Sequence, residues 1–194
     1  MGHAALKSKM SGDEYLAWEA EQTEKHDFID GEVYAMAGAE SGHVTTSLNM
    51  AMALRQHLAG TPCRTFIADM KVQAREGDNY FYPDVVVTCS DADRSSSLVK
   101  REPTLIIEVL SPSTEAYDRG EKFARYRSIA ALKEIAFIDM SSRRTDVYRR
   151  GADGLWVLHP FDAGAAVTLA SVELTLSAAI MFAEVDVLPL PATS

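Results

Sequence analysis

Three side chains of hydrolytic type stand in settings where a charge is costly to leave alone. Asp84 follows Tyr82-Pro83 and opens the apolar run Val85-Val86-Val87. Glu108 sits in the middle of Leu105-Ile106-Ile107-Glu108-Val109-Leu110. Lys122 lies in a helix-like segment that follows Ser111-Pro112-Ser113-Thr114. A carboxylate in a run that apolar must be paired or must bind a cation to offset its lost hydration. Two carboxylates on neighbouring strands, with a nearby backbone carbonyl, suit a hard divalent ion such as Mg²⁺. Such an ion takes one or two protein carboxylates and completes its shell with water and phosphate oxygens. A lysine beside it would orient or deprotonate an attacking water and offset charge on a phosphate under attack. Asp118 lies one helical turn before Lys122 and Tyr126 one turn after, so all three share a face.

Each residue alone has a plainer explanation. Pro83-Asp84 is a common strand-entry turn, and Glu108 could be the buried partner of an arginine. Asp118 and Lys122 could form an exposed pair worth a few tenths of a kcal/mol. Two acids in two apolar strands, followed by a lysine-bearing helix, favour a site over three coincidences.

The elements that must position them read as follows. Ser11-Gly12-Asp13-Glu14 has capping-box spacing and opens a helix to about Glu24. Phe28-Ile29 and Val33 to Met36 flank Asp30-Gly31, which predicts a hairpin with a type I′-like turn. Ser41 is a candidate cap for a long helix whose apolar positions are Val44, Leu48, Met52 or Ala51, and Leu58, with Arg55 at the same spacing. Strands are predicted over 63–68, 70–74 and 82–88, with a turn from Arg75 to Asn79 and a polar loop from Asp91 to Arg101. Leu105–Leu110 reads as a central strand. Ser113 or Thr114 caps a helix to about Ala130, and Glu134 to Asp139 is a further buried strand. A hairpin is predicted around Gly151 to Gly154, then short strands at 167–169 and 172–174 and a last helix from Ser177 to Phe182. This order predicts an α/β domain with a mixed central sheet flanked by helices.

Composition fits that reading. The 194 residues suffice for one domain with a substantial core, and no apolar run approaches the roughly 20 residues of a membrane span. Residues 1–10 read as a leader, 11–183 as the domain and 184–194 as an extended tail. Cys63 and Cys89 lie in strand-like runs and read as buried free thiols of a reducing cytoplasm. The net charge of −9 argues against a general nucleic-acid coat protein. Residues 119–150 nevertheless carry nine Lys and Arg against four acids, so a locally basic face is compatible with the sequence.

The chain resembles the Uma-two family of putative restriction endonucleases, within the PD-(D/E)XK nuclease superfamily, over about residues 11 to 183. The segments that carry the likeness are Lys25 to Val33, Tyr82-Pro83-Asp84-Val85, Glu108 to Thr114, Asp118 with Lys122 and Tyr126, and Val172-Glu173-Leu174. The resemblance implies a restriction-endonuclease-like fold, Mg²⁺ or Mn²⁺ at the site, DNA phosphodiester hydrolysis and a homodimer. It assigns Asp84 and Glu108 as metal ligands and Lys122 as the lysine of the motif. Leu110 stands where the superfamily has that lysine, and Asp27 where relatives have Glu. Asp27, His43, Asp118 and Tyr126 are the supporting residues. The alternative is a catalytically inactive dimeric binding module on the same fold. A serine hydrolase using Ser111 or Ser113 with His43 is remote, because neither serine sits in a Gly-x-Ser-x-Gly elbow.

Overall fold

A computed structural model describes residues 10–36, 38–75 and 79–186. The expected leader and tail fall mostly outside these. Met10 donates its N–H to the Gly31 carbonyl, and Val185 packs against the core. The first helix, α1 (Gly12–Glu19), is held by the anticipated capping box: the Ser11 hydroxyl accepts from Glu14 N–H while the Glu14 carboxylate accepts from Ser11 N–H. It ends at Glu19 and not near Glu24, because residues 20–24 present little apolar surface for tertiary packing to secure.

Five strands form one sheet. The hairpin β1 (His26–Ile29) and β2 (Glu32–Ala35) turns at Asp30 (φ 48°) and Gly31 (φ 93°), the two left-handed residues of a type I′ turn. After α2 (Ser41–His57) and β3 (Arg64–Ile67) come β4 (Lys71–Ala74), β5 (Asn79–Phe81) and β6 (Val85–Thr88). Next are α3 (Asp91–Ser95), β7 (Val99–Lys100) and β8 (Pro103–Leu110). The first sheet has the order β2-β1-β5-β4-β7. Residues 91–101 are therefore not plain loop. Ser90 caps α3, and the Asp93 carboxylate accepts the Arg101 and Glu102 N–H groups, which folds the segment back as strand β7.

The second sheet is central and six-stranded. It includes β9 (Glu134–Asp139), β10 (Thr145–Arg150) and β11 (Trp156–Phe161) in the order β11-β10-β9-β8-β6-β3. It is mixed, since β8 runs parallel to β9 and antiparallel to β6. All eight residues of β8 are buried, as a strand covered on both faces requires. On one face Val85, Val87, Leu105, Ile107 and Val109 pack against α2. The hairpin β12 (Val167–Leu169) and β13 (Leu174–Leu176) and helix α6 (Ala178–Met181) complete that layer. On the other face Val86, Ile106, Leu110 and Phe137 meet Val72 and Phe81 of the first sheet and the helical run 115–126. That run comprises α4 (Glu115–Tyr117), a π-helical turn over Asp118–Lys122, and α5 (Phe123–Tyr126).

Several sequence expectations are corrected. The strand expected over 82–88 begins only at Val85, and Asn79 to Phe81, at the end of the expected turn, form β5 of the other sheet, because Pro83 has no N–H for a ladder and residues 82–84 cross between the sheets. Glu40, not Ser41, precedes α2 as its cap residue. The buried face of α2 is Thr46, Met50, Ala51 and Leu54, whereas Val44, Leu48 and Met52 are 54%, 48% and 61% exposed. The helix after Thr114 ends at Tyr126 without a side-chain cap. The strand expected at 172–174 starts at Leu174, after a 3-10 turn over Ala170–Val172. Cys63 and Cys89 are partly exposed and joined in a disulfide. They flank the paired residues Arg64 and Thr88, so the β3–β6 register brings them face to face.

One buried charge is purely architectural. Glu134 is fully buried at the start of β9 and accepts from Arg149 Nε at 2.8 Å, Ser171 N at 2.9 Å, Ala170 N at 3.1 Å and Ser171 Oγ at 2.7 Å. Glu134→Ala strands all four donors and should lower the unfolding free energy in urea by about 3 kcal/mol, with Glu134→Gln losing less. Equal urea midpoints for wild type and Glu134→Ala would show that the cluster carries no stability.

Candidate active site

Asp84 ends the crossing between the sheets, in register opposite Glu108: Val85 pairs with Ile107 and Val86 with Ile106. Both acids therefore stand at the same end of the β6–β8 ladder. One Asp84 oxygen accepts the Val109 N–H at 2.7 Å, and the other contacts His43 Nε2 at 2.7 Å. His43 reaches it from the first turn of α2, which approaches from one face of the sheet. From the other face, the helical run 115–126 supplies Lys122 and Tyr126. Lys122 Nζ lies 2.8 Å from Glu108 Oε1, and the Tyr126 hydroxyl donates to the same oxygen at 2.7 Å. Asp118 Oδ1 is 3.6 Å from Lys122 Nζ. The turn that carries Asp118 and Lys122 is π-helical, with Phe123 N–H bonding back to Asp118 O, a widened turn of the kind found at functional sites.

Glu108 and Lys122 are in contact, and Asp84, His43, Asp118 and Tyr126 surround them. Asp27 belongs to the same interior. Its Oδ1 is shut off from solvent and has no hydrogen-bond partner, although its carboxylate feels the charges of Lys122 and Asp118. The Tyr117 hydroxyl is likewise buried without a partner and feels the Asp27 charge most strongly among its neighbours. Sequence reading did not single out Tyr117. Its one available signal was its place immediately before Asp118, which does not reveal which way it faces.

The electrostatics follow from burying acids together. Burial pushes the Glu108 carboxyl up to about 8; Lys122 opposes this, and the Asp84 and Asp118 charges add to it. Asp27 is pushed up to about 6, again chiefly by burial and against the pull of Lys122. Burial alone would pull Lys122 down, but Glu108, Asp27 and Asp118 outweigh it and hold the ammonium well above its ordinary value. His43 is moved in the same way, with burial overcome by Asp84, Glu108 and Asp118. Lys122 and His43 thus stand among four acidic side chains.

Asp84 and Glu108 offer carboxylate oxygens, which suit a hard ion such as Mg²⁺. Among the described residues no group of three or more His, Cys, Asp or Glu side chains is arranged to hold a metal. An ion at Asp84 and Glu108 would therefore draw most of its shell from water and phosphate, as Mg²⁺ commonly does. The unpartnered Asp27 oxygen supplies further negative potential nearby. Of the basic residues in 119–150, Arg119, Arg125, Arg144 and Arg149 are tied up in ion pairs with acids. Much of the expected local positive excess is therefore neutralised. Among the described residues no helix is long and apolar enough to cross a membrane.

Comparison with known proteins agrees with the architecture. The family model Uma2, described as "Putative restriction endonuclease", matches residues 13–181. An uncharacterized protein of Synechocystis sp. is 38% identical over 174 residues, covering 90% of this chain and 92% of its own length. A second uncharacterized Synechocystis protein is 35% identical over 147 residues, covering 75% of this chain and 83% of its own length. A crystal structure described as a putative nuclease belonging to DUF820 from Anabaena variabilis superimposes with a TM-score of 0.74. It is 18% identical and covers 89% of this chain and 97% of that one. At that identity the likeness speaks for the fold.

Glu108 and Asp27 both hold their protons more tightly folded than unfolded. The stability they lend is full below their unfolded values of about 4. It is lost as pH rises through about 6 for Asp27 and about 8 for Glu108. Urea unfolding of the metal-free protein should therefore weaken between pH of about 5 and about 8.5, and Glu108→Gln should flatten that slope. A variant with the wild-type slope would show that Glu108 carries no raised proton affinity.

Proposed function

The chain belongs to the Uma2 family of putative restriction endonucleases, and on that premise we propose that it is a Mg²⁺- or Mn²⁺-dependent endonuclease that hydrolyses DNA phosphodiester bonds. The observation that carries this reading is Glu108, a buried acid in the central strand, paired with Lys122 and set beside Asp84 at one sheet end. Asp84 and Glu108 would hold the ion, which when bound supplies Lewis-acid polarisation of the phosphate and a more acidic water. Lys122 keeps its proton and offsets charge on the phosphate under attack. Tyr126 fixes the Glu108 carboxylate, His43 and the Val109 N–H fix Asp84, and Asp118 steadies Lys122. Asp27 adds negative potential from behind. A cytoplasmic location beside the DNA belongs to this proposal, although the Cys63–Cys89 disulfide replaces the free thiols expected of a reducing compartment.

Purified protein should nick supercoiled plasmid in Mn²⁺. Asp84→Ala, Glu108→Ala and Lys122→Ala should each slow this by at least about 100-fold while remaining folded. Equal cleavage by wild type and all three variants would assign the activity to a contaminant.

One observation favours a second reading, a catalytically inactive binding module: both Asp84 oxygens already have partners within the protein. Calorimetry separates the two. Mn²⁺ heat at millimolar concentration that disappears in Glu108→Gln supports the nuclease, and folded wild type with no heat supports the module.

The proposal includes a homodimer. Its support is the exposed stripe Val44, Leu48 and Met52 on α2 beside Ile67 of β3, the edge strand of the central sheet. This apolar face begins one residue after His43, so a two-fold contact there would bring two sites toward two DNA strands. Light scattering should give twice the chain mass, and Leu48→Glu should give one chain mass. A monomeric wild type removes the dimer and leaves the active-site reading intact.

A further inference from the structure

Outside the acid cluster lies a second buried carboxylate network. Glu19, the last residue of α1, is 6% exposed, and its two oxygens bind groups from two distant segments. Oε1 accepts the His26 N–H at 2.9 Å and the Tyr82 hydroxyl at 2.8 Å, and Oε2 meets His26 Nδ1 at 2.9 Å. His26 itself is held by a second contact, since the Tyr15 hydroxyl donates to its carbonyl at 2.6 Å. Each partner of Glu19 adjoins an acid of the candidate site. His26 immediately precedes Asp27 on β1, and Tyr82 precedes Asp84 by two residues across the rigid Pro83. The Tyr82 main-chain N–H also faces the Asp27 carboxylate and favours its charged form. Lys71 Nζ stands 5.0 Å over the Tyr82 ring and Lys25 Nζ 5.9 Å, so cations flank the aromatic arm of the network.

The arrangement has a physical purpose. Asp27, Asp84, Glu108 and Asp118 repel one another when no ion is bound; β1 is laddered to β5 only as far as Tyr80, so the Tyr82–Asp84 crossing lies beyond that pairing. A lone buried charge would be a poor way to stabilise a core, because its desolvation cancels most of its gain. A carboxylate bonded to both segments instead fixes where the two acids stand, as outer partners of metal-ligating carboxylates do.

We propose that Glu19, acting through His26 and Tyr82, is a positioning residue that sets the placement of Asp27 and Asp84 for divalent-ion binding. This rests on the nuclease-type reading of the site. The clamp touches neither the ion nor the substrate, so it acts on ion affinity without supplying a ligand.

The test is calorimetric titration of Mn²⁺ into wild type, Glu19→Ala, Glu19→Gln and Tyr82→Phe, with thermal melts of each. Tyr82→Phe removes one bond and leaves the aromatic packing, so it should melt near wild type yet bind Mn²⁺ on the order of 10-fold more weakly. Glu19→Gln, which keeps an acceptor for Tyr82 and His26 N–H, should bind within about twofold of wild type; Glu19→Ala should match or exceed the loss in Tyr82→Phe. If Glu19→Ala does not fold, Tyr82→Phe decides. Wild-type affinity in folded Tyr82→Phe overturns the clamp and leaves the site reading standing, as does an affinity in Glu19→Gln no better than in Glu19→Ala. A wild type that binds no Mn²⁺ overturns the site reading, and the clamp with it.

Discussion

The structure depends on holding Glu108 inside a strand that is buried along its whole length. An unpaired carboxylate there would cost several kcal/mol, a large share of a single domain's net stability. The cost is met by Lys122 and Tyr126 converging on one oxygen, which forces the helical run 115–126 to pack over the end of β8. That packing in turn fixes Phe123 and Tyr126 in the core shared by the two sheets. The π turn carries both Lys122, which reaches Glu108, and Asp118, which flanks the Lys122 ammonium. An apolar residue at position 108 would remove the penalty, so the acid is better explained by chemistry than by stability.

The second constraint is topological. Residues 82–84 are the point where the chain leaves one sheet and enters the other, and Asp84 stands at that crossing. Its backbone remains tied to the edge through Ala68 N–H, while its carboxylate caps the free N–H of Val109. A hairpin within one sheet would have buried this carboxylate in a ladder or left it in water. The crossing instead places it between α2 and the helical run, with His43 on one side and Glu108 on the other. The site is therefore a junction of layers, and no single element contains it.

Charge on the surface is arranged economically. Arginines of the basic segment mostly answer nearby acids, and the chain as a whole remains acidic. Affinity for DNA under these conditions would have to come from contacts near the site and be sensitive to salt, since net attraction is absent. The exposed apolar stripe on α2 is the opposite case, a surface the monomer leaves unsatisfied beside an unpaired strand edge.

The sequence by itself determined the elements and the suspects. Continuous apolar runs marked the central strands, Asp30-Gly31 marked the hairpin, and Ser11 with Glu14 marked the first cap, because these signals are local. Asp84, Glu108 and Lys122 were legible for the same reason: a charge beside or within an apolar run, or a lysine at helical spacing from an acid, is visible without coordinates. Their contacts were not. Tertiary structure alone decided that Lys122 and Tyr126 share one Glu108 oxygen, that His43 reaches Asp84, and that Glu19 grips the segments of Asp27 and Asp84. It also turned Val44, Leu48 and Met52 of α2 outward while keeping Ala51 and Leu58 inward, and joined Cys63 to Cys89, since helical spacing gives a stripe without saying which side is inward. Strand register and layer packing settle those questions, and both are set by contacts between residues far apart in the chain.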